Sequence, residues 1–103
     1  MQGMGDLMRQ AQEMQQKMAR IQQELNARTV SASSGGGMVT VVCSGTQEIR
    51  SVSIDKAIVD PDDMELLQDL VLTAANEALR LSRELAAKEM STLTGGLRIP
   101  GLF

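Results

Sequence analysis

The sequence has no histidine, tryptophan or tyrosine, and only one cysteine and one phenylalanine. Without histidine it lacks the commonest general base and the commonest metal ligand near neutral pH. The single Cys43 excludes an intrachain disulfide and a cysteine zinc cluster. With no imidazole to activate it as a nucleophile, Cys43 reads as a small hydrophobe inside a strand. Phe103 is the only aromatic residue, so there is no ring platform on which single-stranded bases would stack. No apolar run approaches the roughly 18 residues of a membrane-spanning helix. Met1 to Asp6 shows no basic region leading into an apolar stretch, so no secretory signal is expected. The expectation is a cytoplasmic protein with no membrane partner, no small-molecule substrate and no cofactor.

What is present is a chain of 103 residues, 43% hydrophobic and 22% charged, in which eight methionines take the place of aromatic bulk. That length suits a single domain, 1–103, with a modest core. Met4, Leu7, Ala11, Met14, Met18, Ile21 and Leu25 step by three and four, a heptad stripe that predicts an amphipathic helix over 5–27. The period then changes. Thr29–Ser33, Met38–Cys43 and Ile49–Ile54 read as strands, joined by turns at 34–37 and 44–47. The apolar spacing of Ile49, Val52 and Ile54, three then two, predicts a bulge. Short loops between successive strands imply an antiparallel meander.

Asp60 is expected to cap the next helix and Pro61 to open it, with Leu67, Val71, Ala74, Ala78, Leu81 and Leu85 forming a stripe to about Met90. The fold class is thus α+β, an α-β-β-β-α protomer with a three-stranded antiparallel sheet and two long helices. The ends, 1–4 and 94–103, are expected to be loose. Two helices of this length exceed what three short strands can cover, so a homodimer is expected. The expected core or dimer-interface residues are Met14, Met18, Ile21, Leu25, Val39, Val41, Leu67, Val71 and Leu81.

The net charge is −3 and uneven: residues 48–69 carry seven acids against Arg50 and Lys56, while both flanking segments are mildly basic. Glycines 35–37 lack the Gly-Lys-Ser/Thr of a phosphate loop and precede a strand, so they read as a hairpin turn. Asp60, Asp62 and Asp63 lack the alternating ligands of a calcium loop and read as helix-capping residues. A metal-dependent hydrolase built on them is the third reading in order. Asn76 has a structural reading, a buried or boundary hydrogen bonder that sets helix register, and a functional one, a partner contact. The basic residues are Arg9, Lys17, Arg20 and Arg28 on the first helix and just past it, with Arg80, Arg83 and Lys88 on the second. Glu13–Lys17, Arg20–Glu24 and Glu84–Lys88 are spaced for i,i+4 pairing. Doubled in a dimer, the cations would contact phosphates of a duplex. The rival reading is a helical protein-interaction module, an adaptor or holdase, using the Met-rich stripe.

Taken together, Met8-Arg9-Gln10-Ala11-Gln12-Glu13-Met14-Gln15-Gln16-Lys17-Met18, Gly36-Gly37-Met38-Val39, Ile54-Asp55, Asp69-Leu70-Val71, Ala75-Asn76-Glu77-Ala78 and Pro100-Gly101-Leu102-Phe103 resemble the YbaB/EbfC family of bacterial nucleoid-associated proteins. The resemblance spans essentially the whole chain. It implies a non-enzymatic homodimer with projecting helices, double-stranded DNA as partner, and a role in nucleoid organisation and gene regulation. It transfers no contact motif residue by residue. The expected DNA-binding residues therefore remain Arg9, Lys17, Arg20, Arg28, Arg80, Arg83 and Lys88, with no catalytic and no metal site.

Overall fold

A computed structural model describes residues 2–93. The expected loose segment 94–103 lies outside the described residues, as does Met1. The order is α1 (Gln2–Ala27), β1 (Thr29–Ser34), a 3-10 turn (Gly35–Gly37), β2 (Val39–Ser44), β3 (Ile49–Ile54), a second 3-10 turn (Lys56–Ile58) and α2 (Met64–Leu93). Each helix is longer than its stripe alone indicated. α1 starts at Gln2 and α2 continues to Leu93, for lengths of about 39 and 45 Å at 1.5 Å per residue.

The Gly35–Gly37 turn has positive φ at all three residues, a conformation that a Cβ disfavours, which explains three consecutive glycines. The start of α2 differs from expectation. Asp60 to Asp63 form a turn in which Asp63 N donates to Asp60 O at 2.9 Å and Asp62 N donates to Asp60 Oδ1 at 2.9 Å. Pro61 occupies the second position of that turn, where its fixed φ is equally welcome. Asp63, not Asp60, caps the helix, its Oδ1 accepting from Leu66 N at 3.3 Å.

The sheet order is β1-β2-β3, antiparallel throughout. The expected bulge is present. Val42 pairs with Ser51 and Cys43 with Ile49, which leaves Arg50 as the extra residue. One face of the sheet is apolar: Val30 and Ala32 on β1, Val39, Val41 and Cys43 on β2, and Ile49, Val52 and Ile54 on β3, aligned by the register. α2 lies across β1 and β2 on this face. Ala32, Val39, Val41, Cys43, Ala74 and Ala78 form the buried core, with Leu67, Leu70, Val71, Leu79 and Leu81 packed around it. The small Ala74 and Ala78 let the helix approach the sheet closely. α2 leaves β3 uncovered, so Ile49, Val52 and Ile54 are 43%, 46% and 40% exposed. The opposite face is mainly Ser and Thr, with Ser33 and Thr40 hydrogen-bonded across the strands.

The protomer measures 74 × 26 × 16 Å with a radius of gyration of 19.6 Å. A compact chain of this length would have a radius near 13 Å. The excess comes from α1, where every residue from Gly3 to Arg20 is exposed. Among the described residues, no helix is long and apolar enough to cross a membrane.

Candidate nucleic-acid interface

α1 stands away from the sheet like an arm, and its direction is set by its last turns. Leu25 is its only buried residue among those described. Gly45 N donates to both Leu25 O at 2.9 Å and Arg28 O at 3.0 Å. A Cβ on Gly45 would lie 2.6 Å from Leu25 O, so only glycine permits this approach. Thr46 Oγ1 donates to Asn26 Oδ1, and Arg50 Nη2 donates to Asn26 O and Oδ1, each at 3.0 Å. The bulge at Arg50 thus serves the arm: freed from strand pairing, its guanidinium holds the carbonyl end of α1. Below this, Ser82 Oγ donates to Ser44 O at 2.6 Å and accepts from Gln47 N at 3.1 Å, tying α2 to the same corner.

The seven expected cations divide by how they are occupied. Arg9 pairs with Asp6, Arg28 with Glu89, and Arg80 with both Glu77 and Glu84. The fork from Arg80 holds the Glu77 carboxyl below its ordinary value, through the hydrogen bond first and through charge second. The same contacts hold the Arg80 guanidinium further above its ordinary value, the Glu77 hydrogen bond again foremost. The expected pairs Glu13–Lys17, Arg20–Glu24 and Glu84–Lys88 are not formed; Glu84 is taken by Arg80. Lys17, Arg20, Arg83 and Lys88 therefore remain exposed with no ion pair among the described residues. Lys17 and Arg20 line an open groove of about 380 Å³ with Ile21, Glu24, Glu89, Thr92 and Leu93, where the end of α2 runs antiparallel beside α1.

The acids are central in the sequence but gathered at one end of the molecule. Asp55 N donates to Met38 O, and Ser34 Oγ donates to Leu70 O. These contacts place the second 3-10 turn and the first turns of α2 at the sheet end remote from the arm. Asp55, Asp60, Asp62, Asp63, Glu65 and Asp69 cluster there with Lys56 as the lone cation. No group of acids among the described residues is arranged to hold a metal ion.

The expected core or interface residues are also divided. Leu25, Val39 and Val41 are buried, while Ile21, Leu67, Val71 and Leu81 are half-buried. Met14 and Met18 are exposed in the protomer and are not part of its core. Asn76 is exposed, which removes the buried, register-setting role considered for it; Ser82 and Ser44 are the buried polar residues. Ser82, Asn26, Thr46 and Gly45 were not singled out in sequence. Their short or polar side chains interrupt no pattern, and only the irregular spacing around Arg50 signalled this corner.

Comparison with known proteins gives a consistent result. A model of the YbaB/EbfC DNA-binding family matches residues 1–97. A nucleoid-associated protein of Desulforamulus reducens is 60% identical over 100 residues, covering 97% of this chain and 95% of its own. One from Syntrophobacter fumaroxidans is 56% identical over 95 residues, covering 92% and 86%. An uncharacterized protein of Helicobacter pylori, solved by crystallography, shares the fold with a TM-score of 0.78 at 22% identity, covering 86% of this chain and 94% of its own.

Proposed function

The chain belongs to the YbaB/EbfC DNA-binding family, whose members are nucleoid-associated and non-enzymatic, and on that premise we propose that it binds double-stranded DNA as a homodimer. By altering DNA conformation it contributes to nucleoid organisation and gene regulation, acting in the cytoplasm on the nucleoid. The observation that carries this reading is the separation of charge along the long axis. Six carboxylates sit at the end away from the arm, and Lys17, Arg20, Arg83 and Lys88 lie unpaired toward the other. A protein of net charge −3 thereby presents a phosphate-compatible end. Repulsion from those six acids is weakened by the length of the sheet between, beyond the roughly 8 Å Debye length of physiological salt, while Glu24 and Glu89 stay beside Lys17 and Arg20 in the groove.

The dimer rests on β3. Ile49, Val52 and Ile54 continue the apolar face that α2 covers over β1 and β2. A second copy seated there would complete the core and double the free cations to eight. Contacts to phosphate fix position without reading sequence, so preference among duplexes would come from DNA shape and deformability.

Titration of a labelled duplex at several salt concentrations tests the reading. Eight contacts would set a limit of about −7 on the slope of log K against log salt, at about −0.9 per contact. Lys17→Gln with Arg20→Gln removes four cations from a dimer and should flatten that slope by up to about 4. Sedimentation should give two copies per particle, and Val52→Asp should give monomers. Binding that ignores salt, together with capture of a protein partner on the Met-rich stripe, would favour an interaction module instead.

A further inference from the structure

With no histidine, tyrosine or tryptophan, the readily oxidised side chains of this protein are its eight methionines and Cys43. They are unequally placed. Cys43 is fully buried in the core, which shields its thiol from an oxidant. Met38 and Met90 are half-buried. Met4, Met8, Met14 and Met18 are 70%, 64%, 43% and 40% exposed, all on the outer part of α1. Elsewhere among the described residues only Met64, the first residue of α2, is comparably open, at 44%. The four form two i,i+4 pairs, Met4–Met8 and Met14–Met18, whose side chains are neighbours on the helix surface. Every residue from Gly3 to Arg20 is exposed, so the segment that holds them has little tertiary support. Its helix is nucleated at the root, where Leu25 is buried and Gly45 and Arg50 hold the last turn. From there it extends outward on intrinsic propensity and side-chain pairs of this kind, and Gly3 and Gly5 already weaken it.

We propose that the arm is a methionine-oxidation site that responds to oxidant: a hydroperoxide converts Met4, Met8, Met14 and Met18 to sulfoxides, and α1 then unwinds from its free end toward Arg20. The step is a two-electron oxidation of sulfur. A sulfur lone pair attacks the hydroxyl oxygen of the peroxide, and the S–O bond forms as the O–O bond breaks. The other oxygen takes the hydroxyl proton and leaves as water or an alcohol. The reverse step consumes two thiols, which become a disulfide while the oxygen departs as water, the reaction of a thiol-dependent sulfoxide reductase. Methionine is a good helix former because its unbranched chain loses little freedom there, and pairs four apart add apolar contact. The sulfoxide is polar and a strong acceptor. It draws water to the seam of each pair and offers nearby backbone N–H groups a partner outside the helix ladder, as short polar side chains do. Position decides reach. The outer turns join the root only through Met14 and Met18, so oxidation there loosens the whole arm, whereas oxidation of Met4 and Met8 loosens its end. Met64 begins a helix held by the sheet, and its oxidation leaves α2 in place. Lys17 and Arg20 travel with the arm. Any loss of duplex binding rests on the reading above; the oxidation and unwinding do not, and their test contains no DNA.

Hydrogen peroxide treatment of the full chain, followed by peptide mass mapping and circular dichroism, tests both parts. Met4, Met8, Met14 and Met18 should each gain one oxygen, on average about threefold or more faster than Met38 and Met90, because susceptibility follows exposure. Cys43 should remain a titratable thiol. The helical signal should fall by up to about a third, the share of the described helices that residues 3–20 represent. It should return on treatment with sulfoxide reductase and dithiothreitol. Met14→Leu with Met18→Leu should keep most of the signal under peroxide, and Met4→Leu with Met8→Leu should lose most of it. Oxidation of the four no faster than that of Met38 and Met90 would overturn the proposal, since it would mean that a second copy or another protein covers them. So would complete oxidation at unchanged helicity, or an equal loss in the two leucine variants. Should the leucines cause aggregation, amide exchange in the oxidised, unsubstituted chain decides. Exchange should quicken over residues 3–20 and stay unchanged over 39–43 and 74–82; quickening shared by all three, or absent from the arm, would refute the selective unwinding.

Discussion

The two helices of this protein are alike in sequence and unlike in circumstance. Both carry a three-four stripe over many turns, and both are near 40 Å long. α2 buries Ala74, Ala78 and Ser82 against the sheet, whereas α1 buries Leu25 alone and exposes everything from Gly3 to Arg20. A stripe shows that a helix has an apolar side. It does not say whether its own chain covers that side. What separates the two is the size of the residues at the seam: α2 offers alanine and serine where it must come close to β2, while α1 offers methionine and leucine, which fill space only when another surface is brought to them.

The comparison can be broken most sharply at the root of the arm. Leu25→Ala should cost about 2–5 kcal/mol in chemical denaturation, the usual range for a truncated core leucine, although the rest of α1 is exposed. Next come Gly45 and Ser82. Gly45→Ala should cost about 1–3 kcal/mol, because its Cβ would meet Leu25 O at 2.6 Å. Ser82→Ala should cost about 1–2 kcal/mol, since Gln47 N and Ser44 O both lose a partner. Gly5→Ala should go the other way. Its Cβ meets nothing within 4 Å, so the arm should gain about 0.5–1 kcal/mol of local helix stability. That gain should be visible as amide protection near Gly5, with little change in the global midpoint.

The smallest effect belongs to Arg80 and Glu77 on exposed α2 surface. The Glu77 carboxyl should titrate below its ordinary value of 4.5 and return toward it in Arg80→Gln, as followed by NMR. Because the folded state depresses this value, the contribution of Glu77 to stability is present above 4.5 and is lost as pH falls below it. Solvent screening keeps it slight.

Much of the architecture was legible in the residues. The switch from a three-four stripe to β-branched runs after Arg28 marked the end of α1. The uneven spacing of Ile49, Val52 and Ile54 marked the bulge. The boundaries at Asp60 and Pro61 were misplaced because an Asp-Pro turn and a helix start use the same residue types for the same reason: a carboxylate takes up neighbouring amide hydrogens in either setting. The candidate site was less legible. Spacing alone gave Glu84 to Lys88, yet Arg80 reaches two carboxylates at once and leaves Lys88 free, and no one-dimensional pattern ranks such competitors. Nor does position along the chain show that the acidic middle folds to an extremity.

That polarity also affects how the molecule moves before it touches anything. A body 74 Å long, negative at one extremity and relatively positive toward the other, feels a torque near any highly charged polymer and turns as it diffuses. Encounters with a polyanion would then be largely arm-first, so added salt should slow capture more than it hastens release.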